Sequence, residues 1–155
     1  MVIEKKYFKN FISSLKRRLG ENLISVVLFG SRARGDQKPE SDWDLLIIAK
    51  NLPERFMQRY WFIKESLPTE WRGIVSIIAK TPQEFEANLA SLYLDIALDG
   101  KVIYDKNNYA QNRLSDLKKL INKKGLRREK QDGDFVWCWE NFPGQDWSIS
   151  WDEVL

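Results

Sequence analysis

Continuous apolar runs alternate along the chain with segments in which apolar positions recur every three or four residues. The second kind of spacing predicts a helix, and residues 2–19 carry it before a natural stop at Gly20. The continuous runs predict buried strands at residues 23–29, 44–49 and 73–79. The remaining predictions are helices at about 53–66, 81–98 and 109–123, and a short strand at 101–104.

Two of these helices have start signals. Pro53 fits the first turn of a helix, where its missing N–H is not needed. In the segment from Thr81 to Glu84, the threonine can cap the helix, Pro82 fits its first turn, and Glu84 completes a capping box. We predict that the helix beginning there continues to about Leu98.

The tail of the chain has a different pattern, in which aromatic side chains alternate with other residues. The alternating residues are Phe135, Trp137 and Trp139, followed by Trp147, Ile149 and Trp151. Alternation of this kind is typical of strands, and Pro143-Gly144 between the two sets suits a type II turn. We therefore predict a β-hairpin that pairs 135–139 with 147–151 and has one aromatic face.

The order of helices and strands predicts the fold class α/β (α+β), with a mixed β-sheet packed against helices and a C-terminal aromatic hairpin. A length of 155 residues suits one domain. We expect residues 1–125 to form its body and 126–155 to be a basic and aromatic extension of it. No apolar run approaches the roughly 20 residues of a membrane span, and the N-terminus lacks a signal peptide's apolar centre, so we expect a cytoplasmic protein.

Composition limits the chemistry that is open to the chain. It contains no histidine, which excludes His-based acid–base catalysis and His-ligated zinc. The single Cys138 excludes an internal disulfide and any multi-cysteine metal site. A metal, if one is bound, is therefore expected to be a hard ion with oxygen ligands, such as Mg²⁺. The net charge of +3 is too small to establish nucleic-acid binding.

The most informative segment joins the first two predicted strands. Asp42 and Asp44 are two residues apart at the start of a strand, so their side chains face the same side and repel unless a cation lies between them. Gly30-Ser31 ends the preceding strand, where glycine lets a ligand approach the backbone. Free N–H groups, the Ser31 hydroxyl and the side chains of Arg32 or Arg34 suit an anionic phosphate, and Arg32 is slightly favoured because it lies nearest the strand end. Together these elements predict a Mg²⁺–nucleoside triphosphate site.

The same residues carry a family resemblance. The chain reads Leu28-Phe29-Gly30-Ser31, then ten residues, then Asp42-Trp43-Asp44 and an apolar run. This pattern resembles the nucleotidyltransferase superfamily that includes DNA polymerase beta. It is most similar to the small prokaryotic minimal nucleotidyltransferases, in which GSRARGD and SDxDLL are typical. The match is strong over residues 23–50 and extends more weakly to about residue 105.

The resemblance implies an activity and a role for each of these residues. It implies transfer of a nucleoside monophosphate, usually AMP from ATP, to an acceptor hydroxyl with release of pyrophosphate. Gly30 and Ser31 would then hold the β- and γ-phosphates, and Asp42 and Asp44 would hold Mg²⁺. Some relatives are antitoxins that adenylylate an RNase toxin, others modify antibiotics or extend nucleic acids. The expected partners are therefore ATP or another nucleoside triphosphate and an acceptor, either a protein such as a toxin or a small molecule.

The chain departs from the family pattern at one position. Relatives commonly carry a third carboxylate on the next core strand, and the aligned residue here is Ser76, which we expect to be a small polar residue in a buried strand. Either another acid such as Glu70 substitutes from a distance, or the acceptor or water replaces it, or catalysis is inefficient. The second hypothesis is accordingly a catalytically weak or inactive nucleotide-binding protein that acts by binding a partner protein or RNA.

A basic run in the tail is relevant to that hypothesis. It extends from Lys118 to Lys130 and precedes the aromatic residues. Its simplest interpretation is a solvated helix face and loop. The functional interpretation is an arm that contacts RNA, because basic residues beside aromatic ones suit single-stranded nucleic acid.

For the leading hypothesis, Asp44→Asn is predicted to abolish transfer while leaving the fold intact.

Overall fold

A computed structural model of the chain describes residues 6–155. Its helices and strands alternate along most of this length. The helices are α1 Lys9–Leu19, α2 Gly30–Arg34, α3 Phe56–Ser66, α4 Thr69–Arg72, α5 Pro82–Ala87, α6 Ser91–Asp99 and α7 Tyr109–Lys124. The strands are β1 Leu23–Phe29, β2 Trp43–Ala49, β3 Val75–Lys80, β4 Lys101–Asp105, β5 Leu126–Gln131 and β6 Asp134–Trp139. Short 3₁₀ helices cover Gly20–Asn22 and Trp151–Glu153.

Four strands form a mixed sheet in the order β3-β2-β1-β4. Strand β1 pairs antiparallel with both β2 and β4, while β2 and β3 run parallel. All seven residues of β1 are buried, as are the last five of β2, which explains why both appear in the sequence as continuous apolar runs. The predicted fold class, a mixed sheet packed against helices, is confirmed.

Helices cover both faces of this sheet, so the apolar core has two halves. One half buries α1, α3 and α4 against alternate strand residues such as Val26 and Leu45. The other buries α5, α6 and α7 against the intervening residues such as Val27 and Leu46. Because side chains alternate along a strand, successive residues of β2 belong to opposite halves of the core.

Several predicted helix boundaries need correction. The first helix begins at Lys9, and residues 2–5 of its predicted range lie outside the described part of the chain. The helix expected at Pro53 begins at Phe56, because Arg55 is still extended. The third strand begins at Val75 and includes Lys80, since Gly73 belongs to the end of α4.

The helix predicted from Thr81 to Leu98 is two helices. The capping box of Thr81 and Glu84 is present as predicted, but the chain becomes extended at Asn88 and α6 begins only after Ala90. The break lets α5 and α6 each bury an aromatic ring, and the rings of Phe85 and Tyr93 lie 4.5 Å apart. Tertiary packing therefore overrides the continuous helical pattern.

A C-terminal hairpin is present, but its predicted pairing is wrong. Strand β6 pairs with the basic strand β5, not with residues 147–151. A two-residue turn at Asp132-Gly133, both with positive φ, connects the strands, and this dipeptide is a strong hairpin signal. The residues after the hairpin instead lead back to α5, where the buried Trp151 donates its indole N–H to the carbonyl oxygen of Phe85 at 2.8 Å.

Within residues 6–155, every helix is too short or too polar to cross a lipid bilayer.

Candidate functional site

The turn at Gly30 brings the ends of two strands into close contact. Gly30 begins α2 directly after β1, and Phe29 is paired with Asp44 of the neighbouring strand β2. Gly30 has φ +72°, a conformation that other residues rarely adopt, and a Cβ atom there would overlap the carboxylate of Asp44. The sequence predicted that glycine allows close approach at this turn. The structure gives the reason, which is the space occupied by the Asp44 side chain.

The two aspartates differ in their surroundings. Asp42 lies just before β2 and is exposed, whereas Asp44 lies within the strand and is half-buried. Trp43 between them packs in the opposite direction, with its ring centroid 5.2 to 5.9 Å from those of Tyr7, Phe8 and Trp71. Trp43 is therefore part of the core, as expected, and Asp44 faces the side of the sheet that α5, α6 and α7 cover.

The charges near Asp44 act on it in opposite directions. Burial raises the pKa of the Asp44 carboxyl above its ordinary value, and the negative charge of Asp42 raises it further. The guanidinium of Arg34 opposes both effects and lowers the pKa of Asp44. Burial and the charge of Asp42 thus both disfavour the ionised form of Asp44, and a cation beside it would favour that form.

Ser76 occupies the position that the family pattern assigns to a third carboxylate. It is paired with Asp44 across the parallel β2–β3 register, so the two side chains lie on the same face of the sheet. The expectation that Ser76 is buried is wrong, because it is exposed. Glu70 is exposed on α4, and residues 6–155 contain no group of three acidic or cysteine side chains arranged to hold a metal ion.

The two arginines of α2 point to different partners. The Nε of Arg32 donates to the carbonyl oxygen of Ser41 at 2.9 Å, and its guanidinium lies 4.4 Å from the ring of Trp43. Arg32 is thus fixed on the Trp43 side and ties α2 to the residue before Asp42. Arg34 instead lies on the Asp44 side, where it contacts Asp36 at 3.2 Å and Asp99 at 3.5 Å. The sequence slightly favoured Arg32 as the phosphate ligand, and the placement favours Arg34.

Lys64 of α3 is a further residue near the aspartates that the sequence did not single out. Its ammonium is buried and donates to the carbonyl oxygens of Arg72 and Val75 at 2.9 and 2.8 Å. Burial lowers the pKa of Lys64, and the charge of Asp42 opposes that shift. Lys64 therefore fixes the entry to β3, beside Ser76. A lysine among aromatic residues of a helix gives no local signal of this role.

The basic run from Lys118 to Lys130 is interrupted by ion pairs. It is divided between the end of α7 and strand β5. Within it, Arg127 pairs with Glu129, Lys124 pairs with Glu153, and Arg128 pairs with two aspartates of α6. The predicted RNA contact gains no support from this arrangement.

The residues present fit a hard divalent cation. Asp42 and Asp44 supply two carboxylates on one side of β2, and Mg²⁺ is commonly bound through one or two carboxylates together with phosphate oxygens. The mutual repulsion of the two charges would be relieved by such an ion. Ser76 in the third position is not an acid, so Asp42 and Asp44 are the two carboxylates of the predicted metal site.

The chain is similar in sequence to known nucleotidyltransferases. A family model described as "Nucleotidyltransferase domain" matches residues 8–130. A protein of Methanocaldococcus jannaschii named "Putative protein adenylyltransferase" is 38% identical over 117 residues, covering 73% of this chain and 80% of its own length. A second protein with the same description from this organism is 50% identical over 48 residues, which is 31% of this chain and 46% of its own length. These matches confirm the resemblance predicted from residues 23–50.

Solved structures with the same fold were also found. One is described as a toxin–antitoxin with AMP-PNP, with a TM-score of 0.54, 16% identity, and coverage of 78% of this chain and 89% of that one. Another is described as a tri-AMPylated Shewanella oneidensis HEPN toxin in complex with MNT antitoxin, with a TM-score of 0.51, 16% identity, and coverage of 77% and 87%. At this identity the likeness establishes the fold alone.

Proposed function

The chain belongs to the nucleotidyltransferase domain family, and we propose that it transfers AMP from ATP to a hydroxyl group of a protein. The observation that carries this proposal is the contact between Gly30 and Asp44. It brings a backbone turn suited to phosphate against a carboxylate suited to a metal, at the paired ends of β1 and β2. A metal-bound nucleoside triphosphate requires these two features side by side.

Phosphate binding is assigned to the turn after β1. Gly30 and Ser31 present their backbone N–H groups and the Ser31 hydroxyl to the β- and γ-phosphates. Arg34 supplies a positive charge on the same side as Asp44. Arg32 has a supporting role, because its bond to Ser41 holds the loop that leads to Asp42.

Metal binding is assigned to Asp42 and Asp44. The ion proposed is Mg²⁺, which when bound neutralises charge on the triphosphate and polarises the α-phosphate. The two aspartates hold it because they lie on one side of β2 and repel one another in its absence. Their position at the start of a strand whose last five residues are buried keeps them rigid.

The reaction itself is an in-line displacement. The acceptor oxygen attacks the α-phosphorus, the bond from that phosphorus to the bridging oxygen of the β-phosphate breaks, and pyrophosphate leaves with the electron pair. Because Ser76 is not acidic, no carboxylate is assigned to receive the acceptor proton, which passes to water. A modest transfer rate is therefore expected.

The choice of ATP and of a protein acceptor rests on the relatives. The Methanocaldococcus jannaschii relative is named a putative protein adenylyltransferase. One structural neighbour is described with AMP-PNP, and the other is described with an AMPylated toxin. We propose that the acceptor of this chain is a partner protein of the same kind, a toxin held in a toxin–antitoxin pair, and that transfer takes place in the cytoplasm. We also propose that residues 126–155 extend the domain formed by 1–125, since Arg128 and Trp151 contact α6 and α5.

The test is labelling of a lysate of the source organism with ATP that carries a label on the α-phosphorus. Wild-type protein with Mg²⁺ is expected to label a discrete protein band, and the double variant Asp42→Asn/Asp44→Asn is expected to label none. Glu40→Gln is the matched control, because Glu40 is an exposed acid in the loop that leads to Asp42. Chelation of divalent ions should abolish the label. Equal labelling by the double variant would reject the assignment.

One observation favours a second function. An exposed serine stands in register with Asp44, where relatives commonly carry an acid, and this suits a protein that binds nucleotide and partner without efficient transfer. That function predicts ATP binding and tight partner binding that is insensitive to salt, with no label transferred. A steep fall of partner binding with salt would instead indicate a nucleic acid.

A further inference from the structure

Arg34, Asp99, Arg128 and Phe135 form a cluster beside the Gly30 turn, which we call the Asp99 cluster. Its members come from four elements, namely α2, α6, β5 and β6. The carboxylate of Asp99 accepts two hydrogen bonds from the guanidinium of Arg128, at 2.7 and 2.8 Å. The same carboxylate lies 3.5 Å from Nη1 of Arg34. One buried acid is thus shared by an arginine of the candidate site and an arginine of the hairpin.

The aromatic ring of the cluster also joins the two arginines. The guanidinium carbons of Arg34 and Arg128 lie 5.0 and 4.3 Å from the centroid of the Phe135 ring. At such distances a cation is attracted to an aromatic ring. Arg34 is therefore held by the Asp99 carboxylate of α6 and by the Phe135 ring of the hairpin, and Arg128 of the hairpin binds that same carboxylate.

Burial makes this arrangement rigid. The side chains of Asp99 and Arg128 are only 11% and 12% exposed, and a buried bidentate arginine–carboxylate pair has one well-defined geometry. Arg128 is fixed further by Asp95, which also accepts a hydrogen bond from the indole of Trp137 at 3.2 Å. The side chain of Arg34, in contrast, is 26% exposed. The fixed part of the cluster is on the hairpin side and the accessible part is beside Gly30.

Arg34 has N–H donors beyond those that its two acidic partners use. A pocket of about 140 Å³ is lined by Gly30, Arg34, Asp99 and Phe135 together with Phe29, Leu92 and Asp95. Arginine has five N–H donors, and the contacts to Asp36 and Asp99 involve only Nε and Nη1. Within residues 6–155, Nη2 of Arg34 makes no hydrogen bond to the protein, and this is the group that we assign to a phosphate at the Gly30 turn.

We propose that Asp99 and Arg128 are positioning residues that hold Arg34 in place for the triphosphate, and that the hairpin is thereby part of the nucleotide site. The proposal rests on the proposed function in that it assigns Arg34 to the substrate phosphates. Without Arg128, the charge of Asp99 would be compensated mainly by Arg34, which would be drawn away from the substrate. The match to the nucleotidyltransferase family ends at residue 130, so Phe135 lies beyond the matched residues.

The experiment compares steady-state transfer by wild type, Arg128→Met and Arg127→Met. Arg127 is the matched control, because it lies on the same strand, is 56% exposed and, among residues 6–155, forms an ion pair with Glu129 alone. We expect Arg128→Met to raise KM for ATP about tenfold, the effect of losing roughly one charge-assisted hydrogen bond, with little change in kcat. Arg127→Met should leave both unchanged. Arg128→Lys should restore part of the affinity, since it keeps the charge without the bidentate geometry.

A double-variant cycle then separates positioning from general destabilisation. If Arg128 acts through Arg34, the double variant Arg34→Met/Arg128→Met should bind ATP no more weakly than Arg34→Met alone. Losses that add up would overturn the proposal, as would a loss in Arg128→Met no larger than in Arg127→Met. If Arg128→Met does not fold, Phe135→Leu replaces it in the same cycle, because it removes the ring that both guanidinium groups contact.

Two further measurements distinguish this proposal from the proposed function. Affinity for a non-hydrolysable ATP analogue is measured by titration, so ATP binding without transfer would reject the proposed function and leave the cycle intact. A crystal structure of Arg128→Met locates Arg34 without any need for activity. We expect its guanidinium to have moved away from Gly30, and an unchanged position would overturn the positioning role.

Discussion

At the start of β2, the two faces of the sheet have opposite characters. On one face, Trp43 packs in an aromatic group with Tyr7, Phe8 and Trp71. The guanidinium of Arg32 lies over the Trp43 ring. On the other face, one residue further along the strand, Asp44 lies against a glycine and opposite an exposed serine.

The difference shows how one short strand can separate stability from chemistry. At the start of β2, the side chain that points to one face packs against aromatic rings and holds the strand in place. The side chains that point to the other face carry charge that is unfavourable without a bound cation. The aspartates are rigid because the tryptophan between them is packed. Three substitutions, each with a control, test whether one face provides stability and the other provides the chemistry.

The largest effect is expected on the aromatic face. Trp71→Ala removes a ring that is 4% exposed and stacks 5.2 Å from Phe8, and it should lower the free energy of unfolding by about 3–5 kcal/mol. Chemical denaturation measures the loss. KM for ATP should stay near the wild-type value at a temperature where the variant is folded.

The control for that substitution is Trp147→Ala, because Trp147 is 51% exposed and contacts only the ring of Trp139 among aromatic side chains of the described residues. Its expected cost is about 1 kcal/mol. A similar cost for both variants would show that the aromatic group on the Trp43 face is not the stabilising side of β2.

The next effect is expected on the charged face. Gly30→Ala places a Cβ against the Asp44 carboxylate and should lower kcat/KM at least about a hundredfold, the scale associated with misplacing a catalytic group by 1 Å. Gly20→Ala is the matched control, since Gly20 also has positive φ but has nothing within 4 Å of a Cβ position. Both variants carry backbone strain, so a comparable loss of activity in Gly20→Ala would contradict the role given to Gly30.

The smallest effect is expected from completing the charged face. Ser76→Asp adds a carboxylate in register with Asp44 and should raise the transfer rate about tenfold, well below the 10²–10⁴ of an evolved general base. Ser76→Asn is similar in size but neutral and should give no gain. If Ser76→Asp were slower than Ser76→Asn, the position would not lie beside the reacting groups.

Much of the fold and the centre of the site could be predicted because their signals are local. The buried strands are continuous apolar runs, the α5 start is a capping box, and the Gly30 and Asp42-x-Asp44 elements are defined by spacing alone. Asp132-Gly133 was an equally local signal for the true hairpin, and the aromatic alternation further along the tail obscured it.

The remaining features depend on contacts between distant residues. Arg128 and Asp99 are 29 positions apart, and nothing in the sequence near either residue indicates that they pair. The break at Asn88 reflects how α5 and α6 pack on the sheet. The exposure of Ser76 follows from its place on the edge strand of the sheet, which the sequence pattern does not give.

The proposal that Asp44 supports transfer of AMP from ATP is tested by labelling ATP at two positions. Wild type and Asp44→Asn are each incubated with the source lysate and ATP labelled on either the α- or the γ-phosphorus. Wild type is expected to place only the α label in the acceptor, with the γ label leaving in pyrophosphate, and folded Asp44→Asn is expected to transfer neither. Transfer of the γ label to the acceptor, or equal transfer of the α label by Asp44→Asn, would contradict it.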